Sequence, residues 1–280
     1  MRKIVNLKHL HNLSGILVHR EFMRRVCMIF VSFFITSNGK PCFSMCGRFV
    51  FFELKDFIRQ LHQYELPFVE EQEIDFSANY NIAPDTDIVV LLGDQSKYTL
   101  TLAHWGVIPH WAKAMPKVRP INARAETLAI KPYFRNMLHR THCIIPASGF
   151  YEWKQTAQSK KQPYYIHRAD GKPMAFAGLW DIWKADTSAA PVVSCTIITT
   201  DANSEMKFVH DRMPVILEPE HWKEWLDASK PEAGELLLPS KDGALALYPV
   251  STKVNNPKNS QHDCIVPYDE SNETGELFRV

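Results

Sequence analysis

The chain has 280 residues, of which 45% are hydrophobic and 22% are charged, and its formal net charge is +1. A chain of this length and apolar content can bury a large core, which excludes a disordered protein or a small disulfide-stapled one. The balanced charge excludes binding of a polyanion through overall charge, so any nucleic-acid site must be a local patch. Six cysteines without a C-x-x-C pair favour a reducing compartment, and we expect a cytoplasmic protein.

Residues 1–44 differ from the rest of the chain in charge. They hold seven Lys and Arg residues against one acid, whereas the remainder has 25 basic and 30 acidic residues. Arg24-Arg25 and the apolar run after them imitate a signal peptide, but the run is too short to span a bilayer, and Met45 before Cys46 is a poor cleavage-site residue. We expect residues 1–44 to be absent from the mature protein, either because translation starts at Met45 or because the segment is removed.

Hydrophobic periodicity predicts the elements that follow. A helix is predicted over 53–63, where apolar residues recur at helical spacing, and two more over 202–208, N-capped by Asp201, and 219–226. The predicted strands are 88–92, 98–105, 143–147, 150–154, 164–167, 174–179 and 192–200, and the first two are predicted to form a hairpin across Gly93-Asp94-Gln95-Ser96. Because short turns join most of the strands, we expect an α+β fold: one β-rich domain over 45–280, with a largely antiparallel, barrel-like sheet and helices packed outside.

Cys46 is the first candidate for chemistry, because it directly follows a methionine that can start a chain. A free cysteine is most often a buried hydrophobe. An N-terminal cysteine is different: it is a 1,2-aminothiol, and its α-amine has a pKa of about 7.7–8.0, so part of it is neutral near pH 7. Such an amine forms an imine with an aldehyde, and the neighbouring thiol then closes a five-membered thiazolidine. An internal cysteine cannot do this.

Polar groups stand among apolar residues in four stretches, PINARAET, PASGFYEWK, TTDAN and VHDRMPVIL. His210 can act as an acid or base near neutral pH, and Glu152, between two aromatic residues, can have a raised pKa. Arg48 and Arg124 suit bidentate contacts with phosphates. Each of these residues, taken alone, is equally compatible with an ordinary surface position.

A basic stretch between residues 113 and 140 is the candidate nucleic-acid patch, since seven Lys and Arg residues face only one acid there. Just before it, Trp105, Pro109 and Trp111 are candidates for stacking on an unpaired base or wedging between bases, although a core position is the default for tryptophan. The segment from His139 to Cys143 has the residue types of a metal site without a convincing ligand set. We expect neither a metal nor a cofactor.

Six ordered motifs resemble the SRAP family, the abasic-site processing proteins that are also called SOS response-associated peptidases. The motifs are MCGRF, YNIAP, WGVIPHW, INARAET, CIIPASGFYEWK and HDRMPVIL, and the resemblance extends over essentially the whole chain from Met45. It implies a β-rich fold with a positively charged groove that binds single-stranded DNA and forms a covalent thiazolidine crosslink to an abasic site. The expected partner is single-stranded DNA with abasic sites. We expect a monomer that does not associate with a membrane and that lies in the cytoplasm, on the nucleoid when it is bound to DNA.

The resemblance also implies roles for individual residues. Cys46 would be the N-terminal nucleophile, Asn122 would orient the reacting groups, and Glu152 and His210 would transfer protons. The DNA contacts would come from Arg48, Arg124, Trp105, Trp111, Lys113, Met213 and Pro214. The chain departs from the family in its first 44 residues, since the family pattern starts at the Met-Cys pair; retained, they would leave Cys46 without a free α-amine.

Two other classes of function stay open on the sequence. A thiol peptidase or autoprotease would use Cys46 with His210 and Glu152, and it could remove residues 1–44 itself. A noncovalent single-strand binder would need the basic patch and the aromatic residues but not the cysteine.

Overall fold

The computed structural model describes residues 46–70, 74–94, 97–156 and 160–268, so the prediction for residues 1–44 lies outside the described residues. The strands are β1 Phe49–Phe51, β2 Phe68–Glu70, β3 Asn79–Ile82, β4 Asp87–Asp94, β5 Lys97–Trp105, β6 Asn122–Arg124, β7 His142–Ala147, β8 Gly149–Gln155, β9 Lys161–Arg168, β10 Met174–Trp183, β11 Val192–Asp201, β12 Arg212–Pro214 and β13 Leu245–Pro249. The α-helices are α1 Leu54–Gln63, α2 Pro132–Leu138 and α3 Trp222–Leu226, and short 3-10 turns lie among the elements that follow β6.

A closed ring of strands forms the centre of the fold. β11, β10, β7, β4 and β5 pair in that order, and β5 pairs with β11 again in parallel, with Cys195 opposite Trp105. The closure removes the open edges that these strands would otherwise have. β6 adds to β11 in parallel and β12 adds to it antiparallel, so the C-terminal half of β11 is flanked on both sides.

A second sheet, ordered β13-β9-β8-β1-β3, packs against this ring. The main core lies between the ring and the second sheet and includes Phe49, Phe150, Phe176 and Trp105. The Phe49 ring meets the rings of Trp105 and Phe176 edge to face, at centroid distances of 5.2 and 6.1 Å, and Phe150 meets Phe176 at 6.0 Å. A smaller apolar cluster covers the other side of the second sheet. The α+β fold with a barrel-like, largely antiparallel sheet is therefore confirmed.

The predicted elements are found with one exception. The helix over 53–63, the hairpin of β4 and β5, and the five later strands all form, and 219–226 folds as a 3-10 turn followed by α3. The predicted helix over 202–208 is wrong: only a 3-10 turn over Met206–Phe208 forms there. Asp201 is not its N-cap, because it extends β11 and pairs with Arg212. The side chain of Asn203 accepts from the Met206 N–H at 3.0 Å instead.

Gly149, the first residue of β8, has no room for a side chain beside β9. A methyl group added there would lie 2.5 Å from the Tyr165 ring and 2.6 Å from the Ile166 carbonyl oxygen. We expect Gly149→Ala to lower the free energy of unfolding by about 1–3 kcal/mol, as overpacking of a rigid core does. Urea denaturation measures this change.

Gly234→Ala is the matched control, because no atom lies within 4 Å of a methyl group added there. Its free energy of unfolding should change by less than about 0.5 kcal/mol. If Gly149→Ala unfolds at the same urea concentration as this control, the close approach of β8 and β9 is not as described.

Candidate active site around Cys46

The strand pairing of β1 places Cys46 beside Glu152. β1 runs antiparallel to β8, and the Tyr151 N–H donates to the Arg48 carbonyl at 3.0 Å. The residues that precede Arg48 therefore lie beside Glu152, which follows Tyr151. There the backbone nitrogen of Cys46 donates to Glu152 Oε1 at 2.5 Å. Cys46 is 3% exposed and Glu152 is 4% exposed, so a carboxyl group and a thiol share a nearly dry site.

Burial controls the protonation of both groups. It raises the pKa of Glu152 above its ordinary value, and the nearby His210 together with hydrogen bonds from Cys46 and Trp153 acts in the opposite direction. Burial also raises the pKa of the Cys46 thiol well above its ordinary value, and the Glu152 carboxylate raises it further. The thiol is therefore protonated at neutral pH, with Glu152 beside it to accept the proton.

His210 reaches the site from the 3-10 turn over Met206–Phe208. Its N–H donates to the Met206 carbonyl at 2.8 Å, which sets the backbone, and the side chain is half-buried. Ring atom Nδ1 has two partners: the Arg212 N–H donates to it at 3.1 Å, and Asp211 Oδ1 lies 2.9 Å away. The first contact suits neutral imidazole and the second suits imidazolium, so either form of the ring has a partner at Nδ1.

Asn122 lies at the start of β6. This strand pairs in parallel with β11, with Asn122 opposite Ile197 and Arg124 opposite Thr199. Arg212 of β12 lies on the other side of the same strand end, opposite Asp201. The C-terminal end of β11 thus gathers residues from the INARAET and HDRMPVIL motifs, which are far apart in sequence.

Arg212 is a site residue that sequence reasoning missed. It is 6% exposed, and its guanidinium makes a two-pronged ion pair with Glu126 at 2.7 and 3.0 Å, contacts Asp201 Oδ1 at 2.6 Å and donates to the Thr199 carbonyl at 2.8 Å. Its positive charge lowers the pKa of Cys46, against the larger effect of burial. The sequence did contain a signal for this role: Arg212 stands in the apolar motif VHDRMPVIL, and a buried arginine requires hydrogen-bond acceptors around it.

Three of the predicted DNA-contacting residues lie on the surface. Arg124 and Lys113 are exposed, and Trp111 is 53% exposed with its ring edge-to-face on Tyr133 at a centroid distance of 5.8 Å. Four further Lys and Arg residues of the 113–140 stretch are exposed as well, namely Lys117, Lys131, Arg135 and Arg140, and so is His139. This part of the surface has the groups that a phosphate backbone and unpaired bases require.

Three others lie in the interior, and a direct contact of these residues with DNA stays a prediction. Trp105 and Met213 have no exposed surface, and Pro214 is buried. The indole N–H of Trp105 donates to the Ile121 carbonyl at 3.0 Å. A fully buried ring presents no face to a base, so this position does not support base stacking by Trp105, which is part of the core.

Arg48 has an internal role in the structure. Its Nη1 donates to Asn81 Oδ1 at 2.7 Å and to the Val254 carbonyl at 2.8 Å, and burial lowers the pKa of its half-buried guanidinium. These contacts connect the segment after Cys46 to the 3-10 turn over Thr252–Asn255. A phosphate contact for Arg48 stays a prediction.

Within the described residues, no group of three or more His, Cys, Asp or Glu side chains is arranged to hold a metal ion. A search of the same part of the chain for a helix that is long and apolar enough to cross a membrane finds none.

Residues 45–257 match the family model of SOS response associated peptidases, abbreviated SRAP. The chain therefore belongs to the SRAP family, as its motifs predicted. It is 41% identical over 227 residues to the abasic site processing protein YoaM of Bacillus subtilis, covering 79% of this chain and 97% of that protein. It is 32% identical to the abasic site processing protein YedK of Escherichia coli, over 80% of this chain and 100% of YedK.

Two solved structures are similar. A phage-related protein from Bordetella bronchiseptica is 30% identical, with a TM-score of 0.57 over 73% of this chain and 94% of that one. A protein from Bacteroides thetaiotaomicron has a TM-score of 0.66 over 81% of this chain and 98% of that one; at 24% identity this likeness shows the fold alone.

Glu152→Gln tests the burial of the carboxyl group through stability. A carboxyl group whose pKa is higher in the folded than in the unfolded protein destabilises the fold when it ionises, and the effect grows as the pH rises from the ordinary pKa through the folded one. Glutamine cannot ionise. We therefore expect Glu152→Gln to be stabilised relative to wild type at pH 7.5, with the gain disappearing toward pH 4, as measured by urea denaturation at both pH values.

Glu235→Gln, at an exposed position, controls for the loss of one negative charge. An equal difference between Glu152→Gln and wild type at both pH values would contradict the pKa shift.

Proposed function

We propose that this protein binds single-stranded DNA with abasic sites and forms a thiazolidine crosslink between N-terminal Cys46 and the abasic sugar, which shields the lesion. One observation carries the proposal: the Cys46 nitrogen lies 2.5 Å from the buried carboxyl group of Glu152, beside the Cys46 thiol. Relatives that match most of the chain are named abasic site processing proteins, which supports DNA with abasic sites as the partner.

The reactive form begins at Cys46. Once the bond to Met45 is absent, the nitrogen that donates to Glu152 becomes an α-amine. A carboxylate at this distance can accept a proton from the ammonium form and leave a neutral amine, the nucleophile that an aldehyde requires. Residues 1–44 and the following methionine are therefore proposed to be missing from the active protein.

The first chemical step is opening of the sugar. An abasic deoxyribose is mostly a closed hemiacetal; an acid must protonate the ring oxygen while the anomeric hydroxyl loses its proton, which gives the aldehyde at C1′. His210 is the proposed acid. As imidazolium, whose charge Asp211 balances at Nδ1, the ring gives its Nε2 proton to the sugar ring oxygen, and water takes the proton of the anomeric hydroxyl.

The amine then adds to C1′, and loss of one water gives the Schiff base. The thiol sulfur adds to the same carbon, and the ring nitrogen ends with the proton that the sulfur gives up, so that aldehyde and aminothiol yield thiazolidine and one water. Glu152 is the proposed carrier of this proton, because its carboxyl group contacts both the nitrogen and the thiol of Cys46.

Sequence-independent DNA binding is the second part of the proposal. A lesion without a base offers no base edge to read, so affinity must come from phosphates and neighbouring bases. Exposed Arg124 and Lys113 supply positive charge, and exposed Trp111 supplies an aromatic face. Asn122, at the start of the strand that carries Arg124, is proposed to orient the reacting groups.

The protonated thiol argues against a thiol peptidase as the main activity. A cysteine peptidase attacks with a thiolate, which needs a lowered pKa. At Cys46, burial and Glu152 both raise the pKa. The two alternatives, peptidase and noncovalent binder, remain distinguishable outcomes of the first experiment below.

Cys46→Ser keeps the amine but removes the sulfur that closes the ring. Mixed with abasic single-stranded DNA, protein beginning at Cys46 should give a heat-stable adduct by intact mass spectrometry, whereas the serine variant should give only an imine that borohydride traps and heating destroys. A heat-stable adduct of Cys46→Ser would disprove participation of the thiol. Peptide cleavage without an adduct would favour the peptidase, and neither product the noncovalent binder.

Binding and chemistry should be separable. We expect His210→Ala to slow crosslinking about 100-fold or more, as loss of a positioned acid or base does, with little change in affinity. Arg124→Ala should weaken binding to intact single strands and reduce the slope of log affinity against log salt by about 0.7. A time course at saturating protein and an equilibrium titration measure the two effects. Should His210→Ala crosslink at the wild-type rate, or lose affinity as Arg124→Ala does, its assignment to proton transfer is wrong.

A further inference from the structure

Exposed Phe208 and half-buried Lys154 form a pair near the candidate active site. Phe208 ends the 3-10 turn two residues before His210, and it is 54% exposed. The Lys154 Nζ lies over its ring, 3.0 Å from the centroid, and Tyr164 meets the ring at 88° with a centroid distance of 5.8 Å. The ammonium lies over one face of the ring, and more than half of the Phe208 residue remains exposed to solvent.

The pair is anchored to the same strands as the reactive groups. Lys154 follows Glu152 by two residues in β8, so both side chains stand on one side of the sheet, about 7 Å apart along the strand. Tyr164 lies directly opposite Glu152 on β9. Glu152 contacts the Cys46 nitrogen. Phe208 and Lys154 are therefore within about one nucleotide of the place where an abasic sugar would react.

We propose that Phe208 and Lys154 form a clamp for the nucleotide next to the abasic sugar: the exposed Phe208 ring stacks on the flanking base, and the Lys154 ammonium contacts the phosphate beside it. This inference rests on the proposed function. Both contacts tolerate any sequence, since every base has an aromatic face and every nucleotide has a phosphate. The clamp sets the register of the strand, which a sugar without a base cannot set by itself.

The test of stacking uses a single strand with a tetrahydrofuran residue in place of the abasic sugar, which cannot react. Phe208→Leu keeps an apolar side chain without an aromatic face, and we expect it to weaken equilibrium binding at least about 5-fold, with Phe208→Trp restoring it. The same titrations are repeated on strands in which the 5′ or the 3′ neighbour also lacks its base. On one of these two strands, wild type and Phe208→Leu should bind equally.

The test of the phosphate contact uses salt. Lys154→Gln should reduce the slope of log affinity against log salt by about 0.7. Lys172→Gln is the control, because Lys172 is exposed and follows the end of β9 that lies farther from Gln162, the partner of Lys154; it removes the same charge and should leave the slope unchanged. The thermal unfolding midpoints of all variants should stay near that of wild type, because the altered side chains are at least partly exposed.

The clamp is overturned if Phe208→Leu binds like wild type, if its defect persists on both strands that lack a neighbouring base, or if Lys154→Gln behaves like Lys172→Gln. These outcomes can be distinguished from a failure of the proposed function. That function fails if wild-type protein beginning at Cys46 gives no heat-stable adduct with reactive abasic DNA, whereas the clamp can fail while the adduct still forms.

Discussion

The hydrogen bond from the Cys46 nitrogen to Glu152 is the contact on which the proposed chemistry depends. In water, an amine and a carboxylate are both hydrated, and neither group strongly affects the protonation of the other. Here the carboxyl group is buried, so its proton affinity rises and its contact with the nitrogen strengthens. The same burial keeps the Cys46 thiol protonated at neutral pH. One dry site thus holds the carboxyl group, the backbone nitrogen and the thiol together.

The fold places this contact by pairing strands that are far apart in sequence. β1 adds to β8 and carries Cys46 to Glu152, while the flanking of β11 by β6 and β12 brings the INARAET and HDRMPVIL motifs together. Arg212 fixes that junction through Glu126 and Asp201. A buried guanidinium without these partners would be strongly unfavourable, so the two motifs depend on each other.

Local patterns predicted local structure, and tertiary contacts determined the rest. The helix over 54–63 and the β4–β5 hairpin follow from periodicity and turn residues within a few positions of each other. Asp201 looks like a helix cap in isolation, yet pairing with Arg212 keeps it in a strand.

Trp105 and Trp111 belong to one motif, but the first is fully buried and the second is half exposed. Residue type does not distinguish them, because burial is set by the parallel pairing of β5 with β11, which has no local signal. The motifs predicted that Cys46, Glu152 and His210 act together, which stays a prediction. The two partners at the His210 ring and the contacts of Arg212 are known only from the three-dimensional structure.

The central claim is that the Cys46 nitrogen reacts only as a free amine held on Glu152. The most direct measurement compares the 280-residue chain with protein that begins at Cys46, each mixed with the same abasic single strand and analysed by intact mass spectrometry. Protein beginning at Cys46 should gain the mass of the strand minus one water, and the 280-residue chain, if its first 45 residues remain attached, should gain nothing. Equal crosslinking by a chain that still carries those residues would contradict the claim.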